Sequence, residues 1–360
     1  MPFAQEISDS ADSCVVRFAD ASSMADDISK RIPGFIEPFR VSPGSSVKLA
    51  RDFDPGFKAG IEKKKDAVDL LKGGIELLTD YQARLAAQDT YGVVVILQAL
   101  DAAGKDGTIR HVMSGVNPQG VRVESFKVPS ARELNQDFLR RYQKRLPSRG
   151  EIGIFNRSHY EEVLVVRVHP ENLLRQKLPA GTRKHHVWTR RYEAINDWEQ
   201  YLSANGFRIV KLFLNLSKEE QRVRFLRRID LPDHNWKFSS HDVEERQSWD
   251  AYQEAFSEMF SQTSTPWAPW YVIPADRKWF ARIAAAAVIA NALIEIDPQY
   301  PRLGDAALHD LEKAKLELEV EAPSGAASDP FEAGESGGSR ANGDAAVPVT
   351  PAGAPPQQEG

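Results

Sequence analysis

Cysteine is almost absent. Cys14 is the only one in 360 residues, which rules out an internal disulfide and fits a reducing compartment. Long apolar runs are missing as well. No stretch reads as the ~18 apolar residues of a membrane span, and the opening MPFAQEISDSADS is acidic without an apolar core, so no secretory signal is expected. The expectation is a cytoplasmic protein with no membrane partner. Net charge is small, −5, and unevenly spread: residues 303–360 carry 11 acidic and 3 basic side chains, leaving about +3 for residues 1–302. A body this mildly basic argues against a dedicated nucleic-acid binder and still allows one local basic channel. Aromatic residues nearly vanish after Gly304, where Ala, Gly, Pro, Ser and Glu dominate. Residues 303–360 therefore read as an acidic, largely disordered tail in which Ala306–Val320 has the composition for one exposed helix. Residues 1–34 show no clear period and gather five acidic residues between Asp9 and Asp27. They read as a mobile extension, which leaves one domain over 35–302.

What is present is concentrated in Tyr91–Val112, YGVVVILQALDAAGKDGTIRHV. Gly92–Leu97 is an apolar run with a β-branched majority, the pattern of a strand buried on both faces. It passes directly into Asp101, Ala102, Ala103, Gly104, Lys105, Asp106, Gly107 and Thr108, a loop of mostly small residues that opens a helix. Such a loop turns several backbone N–H groups and a helix N-terminus toward one spot, which attracts phosphate. Lys105 adds a cation able to follow a transferring phosphoryl group. The match to G-x-x-x-x-G-K-[ST] is partial, with Ala99 in place of the first glycine and Asp106 in place of the Ser or Thr that holds Mg²⁺. Asp101, inside the loop, can supply the missing oxygen ligand.

Apolar runs and helical patterns alternate along the rest of the body. Helical spacing is expected over 57–88, with Gly73-Gly74 as a possible break. A strand at Val121–Val128 precedes a helix over Ser130–Arg145, opened by Ser130 with Glu133 three residues on. Further strands are expected at Glu151–Arg157, Arg208–Leu216 and Trp270–Pro274, with helices at His159–Val168, Arg183–Asn205 and Arg277–Ile296. Five short apolar strands with long crossovers specify an α/β fold built on a parallel, doubly wound sheet. Its ligands gather at the carboxyl ends of the strands.

Two more clusters fall at that edge. The third strand runs into Asn156-Arg157-Ser158-His159-Tyr160-Glu161-Glu162. Asn156, Glu161 or Glu162 can offer the second oxygen that faces a metal, and Arg157 a cation for the equatorial oxygens. The plainer alternative is a helix start capped by Ser158. The third cluster, Arg222–Arg246, carries Arg224, Arg227, Arg228 and Lys237 and breaks at Leu231-Pro232-Asp233. An arginine-rich helix-loop-helix after the fourth strand is where P-loop kinases keep a lid, here about 222–250. Trp236 and Trp249 are read as core or hinge packing.

ALDAAGKDGTIRHVMSGVNPQGVRVESFKVPS, IGIFNRSHYEEVLVVRVHP, KLFLNLSKEEQRVRFLRRIDLPDHNWKFSSHDVEER and TSTPWAPWYVIPADRKWFARI, in that order, resemble the polyphosphate kinase 2 family over about Phe35–Tyr300. The wording NRSHYEE, rather than DRSWY, is similar to the branch that phosphorylates AMP as well as ADP. The resemblance implies a P-loop kinase-like, five-stranded parallel sheet flanked by helices with a helical lid, and a homo-oligomer, dimer or tetramer. It also implies that Asp101 and one acidic residue of the second cluster hold Mg²⁺, that Lys105 contacts phosphates and that lid arginines grip substrate. Glu162 is the favoured second ligand, ahead of Asn156 and Glu161. Asp101, Lys105, Arg157 and Glu162 are the expected catalytic set.

The expected reaction is direct in-line transfer between inorganic polyphosphate and a nucleoside mono- or diphosphate, without a covalent enzyme intermediate. His159 is the nearest histidine and is not needed, because a loose transition state asks for positioning more than for a strong nucleophile. An ATP-dependent nucleoside-monophosphate kinase would use the same loop. A polyphosphate donor needs a long basic track and no base pocket, for which Arg110, Lys127, Arg132, Arg140, Arg141, Lys144 and Arg145 are candidates. A non-catalytic polyanion-binding protein would need no metal carboxylates.

Overall fold

The computed structural model describes residues 29–61, 64–183, 186–236 and 238–321. They belong to two compact units, which divide between Pro301 and Arg302. In the first unit, β1 (Gly92–Ala99), β2 (Val121–Ser125), β3 (Ile152–Asn156), β4 (Phe207–Asn215) and β5 (Trp270–Pro274) form one sheet in the order β2-β3-β1-β4-β5. Every pairing is parallel. The register sets Leu97 of β1 beside Asn156 of β3, so the two loops that follow these strands leave the sheet side by side. β1 is buried along its first seven residues, as a strand covered on both faces must be.

The covering helices are α1 (Lys64–Gln88), α2 (Lys105–Val112), α3 (Val187–Ala204), α4 (Lys218–Asp230), α5 (Ser240–Glu245), α6 (Trp249–Thr263) and α7 (Lys278–Ile296). One core joins α1, α2 and α7 to residues such as Val93, Val95 and Leu97. The other joins α3 and α6 to Val94, Ile96 and Phe155. The alternation of β1 residues between the two cores is the period of two that a strand imposes.

Several expectations are corrected. Gly73-Gly74 does not break α1, which runs unbroken for 25 residues. A Cβ built on Gly74 would lie 3.9 Å from that of Ala286, so this glycine faces the alanine stripe of α7. Ser130–Arg145 is two short helices, Ala131–Leu134 and Arg140–Gln143, although the capping box of Ser130 and Glu133 forms as read. Residues 29–36 are helical and Ile32 and Ile36 are buried in the core, so the extension expected to be mobile through 34 is packed at its end. Residues 1–28 lie outside the described residues. α7 is long and apolar enough by composition to cross a membrane, with mean hydropathy 1.6, contrary to the expectation that no stretch would qualify. Its candidate window is 72% buried inside the protein, and the sheet and α1 account for its apolarity. In the second unit, α8 (Asp305–Glu321) buries no residue, and residues 322–360 lie outside the described set.

Candidate active site

The loop after β1 turns twice through the left-handed region, at Ala102 (φ 63) and Gly104 (φ 103). Glycine is the residue that takes such a φ without a steric penalty. α2 begins at once with Lys105, so its first N–H groups point into the space above the loop. A cavity of about 820 Å³ occupies that space, and Asp101 through Thr108 all line it. Its far wall brings cations from across the chain: Arg110, Lys127, Arg228, Lys278 and Arg282, with the exposed Trp236 beside them.

β3 ends at Asn156, and Arg157 adopts φ 64. Its N–H donates to the Leu97 carbonyl at 3.1 Å, which pins the turn to the end of β1. A non-glycine residue held at positive φ marks a site over-determined by its surroundings. The Arg157 guanidinium donates to Asp101 at 2.9 Å and to Glu161 at 3.4 Å, and Glu161, then burial working against it, then Asp101 combine to hold its pKa above the usual guanidinium value. Asn156 donates to Asp106 at 2.8 Å, tying the second cluster to the first turn of α2. The Lys105 ammonium donates to the Ala99 carbonyl at 2.9 Å. Burial, and next the Arg157 charge, lower it to about 8, with Asp101, Glu161 and Asp106 opposing.

Asp101, Lys105 and Arg157 therefore meet at one spot. Glu162 does not join them. It lines neither of the cavities that Asp101 lines. Its carboxylate is buried, accepting from Arg191 at 2.7 Å and from Gln176 at 2.7 Å. The sequence favoured Glu162 as the carboxylate near Asp101, and the structure puts Glu161 there, because the turn His159–Glu162 is a 3₁₀ helix that sends these neighbours to different sides. Ser158 does cap that turn, accepting from the Tyr160 N–H at 3.3 Å. His159 is fully buried against Glu199 at 3.2 Å, and burial lowers its imidazole below the ordinary value. It does not face the cleft.

The arginines of the expected lid divide by helical phase. Arg224 is buried under the P-loop: it donates to the Ala103 carbonyl at 2.7 Å, the Ala102 carbonyl at 3.2 Å and the Ala275 carbonyl at 2.6 Å, and pairs with Glu220 at 2.9 Å. The role expected for it, gripping substrate, is corrected to bracing the loop. Arg228 lines the cavity and pairs with Asp242 at 3.3 Å. Arg227 is exposed and does not line it. Lys237 lies outside the described residues. Trp236 is 78% exposed, not core packing, and Trp249 belongs to neither core cluster but lines a small hollow of about 40 Å³ with Asp101 and Glu161. Of the basic residues expected as a track, Arg110 and Lys127 line the main cavity, while Arg141 and Arg145 pair with Glu133 and Glu124. Lys278 and Arg282 escaped the sequence reading. Their spacing of four on the last long helix was the only signal.

Among the described residues no three His, Cys, Asp or Glu side chains converge as a metal cage. Mg²⁺ in phosphoryl transfer asks for less, one or two carboxylates completed by water and substrate phosphates. Asp101 and Glu161, on either side of Arg157 and both partly exposed, fit that requirement.

The family model of Polyphosphate kinase 2 matches residues 60–301. An ADP-polyphosphate phosphotransferase of Rhodopseudomonas palustris is 49% identical over 284 residues, covering 78% of this chain and 97% of that protein. An AMP/ADP-polyphosphate phosphotransferase of Meiothermus ruber is 44% identical over 271 residues, with coverages of 74% and 96%. The crystal structure of polyphosphate kinase 2 from Arthrobacter aurescens TC1 superimposes with a TM-score of 0.70 at 39% identity, covering 79% of this chain and 96% of that one. The loop, the parallel sheet behind it and the paired motif on β3 are thus those of a known group of enzymes, and this chain belongs to the polyphosphate kinase 2 family.

Proposed function

We propose that the protein transfers the terminal phosphoryl group of inorganic polyphosphate to a nucleotide, with AMP and ADP as acceptors. The observation that carries this reading is the wall of the large cavity. Arg110, Lys127, Lys278 and Arg282 converge on it, and none of the four forms an ion pair among the described residues. Burial, and then Arg224, Arg227 and Arg282, lower Lys278, while burial and Arg110 lower Arg282. Cations gathered this closely outnumber the Asp101 and Asp106 carboxylates that line the same cavity, and a polyanion relieves their mutual repulsion. An ATP donor would bring fewer charges.

In the reaction, an oxygen of the acceptor's terminal phosphate attacks the terminal phosphorus of the chain. The P–O–P bond to the rest of the chain breaks, and a polyphosphate shorter by one phosphate leaves. The P-loop N–H groups and Lys105 hold the transferring group, and Arg157 neutralises charge on its equatorial oxygens. Asp101 and Glu161 would hold Mg²⁺, which would offset the negative charge of the phosphates when bound. A binding protein without activity would have no use for this carboxylate pair beside Lys105. The cytoplasm, where nucleotides are available, is the compartment implied. The names of the relatives support AMP and ADP as acceptors, and a homo-oligomer rests on the family resemblance alone.

The test is direct. Purified protein with Mg²⁺, polyphosphate and AMP, ADP, GMP or GDP in turn should give the nucleotide with one more phosphate, read by chromatography. ATP with AMP and no polyphosphate should run at least ~10-fold slower. Equal or faster transfer from ATP would overturn the assignment of the donor.

A further inference from the structure

Directly after Arg157 the chain enters a cluster of polar side chains with no exposed surface: Ser158, His159, Tyr160, Glu199, Lys211 and Thr263. Lys211 on β4 donates to Glu199 of α3 at 2.7 Å, to the Tyr160 hydroxyl at 3.0 Å and to the Thr263 carbonyl at the end of α6 at 2.6 Å. The Tyr160 hydroxyl donates to Glu199 at 2.8 Å, and His159 Nε2 faces the same carboxylate oxygen at 3.2 Å. An ionised carboxylate only accepts, so Nε2 carries the imidazole proton. The Lys211 ammonium also lies 5.5 Å from the ring centres of Tyr160 and Trp270. Burial lowers it, with Glu199 opposing. Burial works to raise the Glu199 carboxyl, and Lys211 and then His159 overcome that, leaving it below its ordinary value.

Such a network adds little net stability, since two charges taken out of water lose in solvation much of what they gain from each other, and apolar groups of similar volume would fill the space as well. What it supplies is direction. Hydrogen bonds to a hydroxyl and an imidazole fix where those side chains sit, which non-directional apolar contact does not. We propose that Lys211 and Glu199 are positioning residues for the reaction: through Tyr160 and His159 they hold the turn after β3 so that Arg157 meets the transferring phosphoryl group. The proposal rests on the role given to Arg157 above.

The backbone shows why the turn needs a tether. Arg157 sits at φ 64, and a non-glycine residue keeps such a conformation only where its surroundings over-determine it. Its own N–H is held by the Leu97 carbonyl. On the following side the hold begins at Ser158, whose hydroxyl accepts from Gln98 of β1 at 3.0 Å, and passes to His159 and Tyr160, tied to α3 and β4. Neither Lys211 nor Glu199 lines the P-loop cavity or the small hollow that Asp101 and Glu161 share. Their effect on the reaction therefore passes through the turn.

The test is a double-mutant cycle with Arg157→Ala. The tether is probed by Tyr160→Phe, which removes the hydroxyl alone, and by Lys211→Met combined with Glu199→Gln, which removes both charges at once and strands neither. With Arg157 present, each change should lower kcat about fivefold or more, the order of loss that a small misplacement of a catalytic group produces, while KM for AMP and for polyphosphate stays within about twofold. In the Arg157→Ala protein no guanidinium is left to place, and the same changes should alter kcat by less than about twofold. Equal fold-losses in both backgrounds would overturn the proposal, because a merely structural role acts whether or not Arg157 is there. So would an unchanged kcat with Arg157 present, or a rise in both KM values without a fall in kcat. If the paired variant fails to fold, Tyr160→Phe carries the cycle. Wild-type kcat in Arg157→Ala itself would overturn the role of Arg157 and the proposal with it. Should ATP prove to be the donor, the cycle run with ATP and AMP judges the tether apart from the polyphosphate reading.

Discussion

Lys105 shows how one residue's surroundings become a measurable pH dependence. Its ammonium, lowered to about 8 chiefly by burial, is charged below that pH and neutral above it. Since kcat/KM follows the ionisation of the free enzyme, it should fall as pH rises through about 8, close to tenfold per pH unit beyond it. Lys105→Arg, whose guanidinium stays charged, should lose activity yet show no decline up to pH 9.5. A wild-type profile flat to pH 9.5 would mean that the charge is not required. Lys105→Ala should lower kcat by at least ~10²-fold with circular dichroism unchanged, as removal of one preorganised electrostatic contact does. The same scale separates Glu161 from Glu162. Adjacent in sequence and identical in chemistry, they end in different places because the first faces Arg157 and the second Arg191. No property of either residue announces that difference.

At the scale of elements, α4 acts as the brace of the P-loop. Arg224 reaches from it to the carbonyls of Ala102 and Ala103 on one side and Ala275 on the other, so the loop after β1 and the loop after β5 are joined through one planar fork. Arg224→Ala would leave these buried carbonyls and Glu220 without their partner. It should lower unfolding stability by about 3 kcal/mol and reduce kcat as the loop loosens. Arg224→Lys should recover little, because a single ammonium cannot span carbonyls on both loops. Urea melts of the three proteins would decide, and a loss below about 1 kcal/mol for Arg224→Ala would refute the brace. The helix-loop-helix pattern was legible in the sequence, from Ser217 as cap to the break at Leu231-Pro232. Which of its arginines faces the loop was not, because that depends on the rotation of α4 about its axis, and packing sets that rotation.

For the whole molecule, the charge budget and the units agree in one respect: the acidic surplus belongs to residues beyond Arg302. α8 buries no side chain, and residues 322–360 have a composition too poor in large apolar residues to build a core. A chain ending at Arg302 should keep its melting temperature within about 2 °C and its kcat within about twofold. A drop of more than about 5 °C, or aggregation, would show that the tail contributes to the fold.

The sequence by itself determined what is local. The strand-loop-helix at Gly92–Val112, the caps at Ser130, Ser158 and Ser217 and the five strands each depend on residues within a few positions of one another, where backbone sterics, capping and hydrophobic period act. The tertiary structure alone decided what meets across the chain. Arg224 lies 121 positions from Ala103, and Lys278 and Arg282 enter the cleft from the last long helix of the first unit. Contacts of that separation follow from how helices rotate and pack on a twisted sheet, and that is a property of the whole core, which no short window of sequence contains.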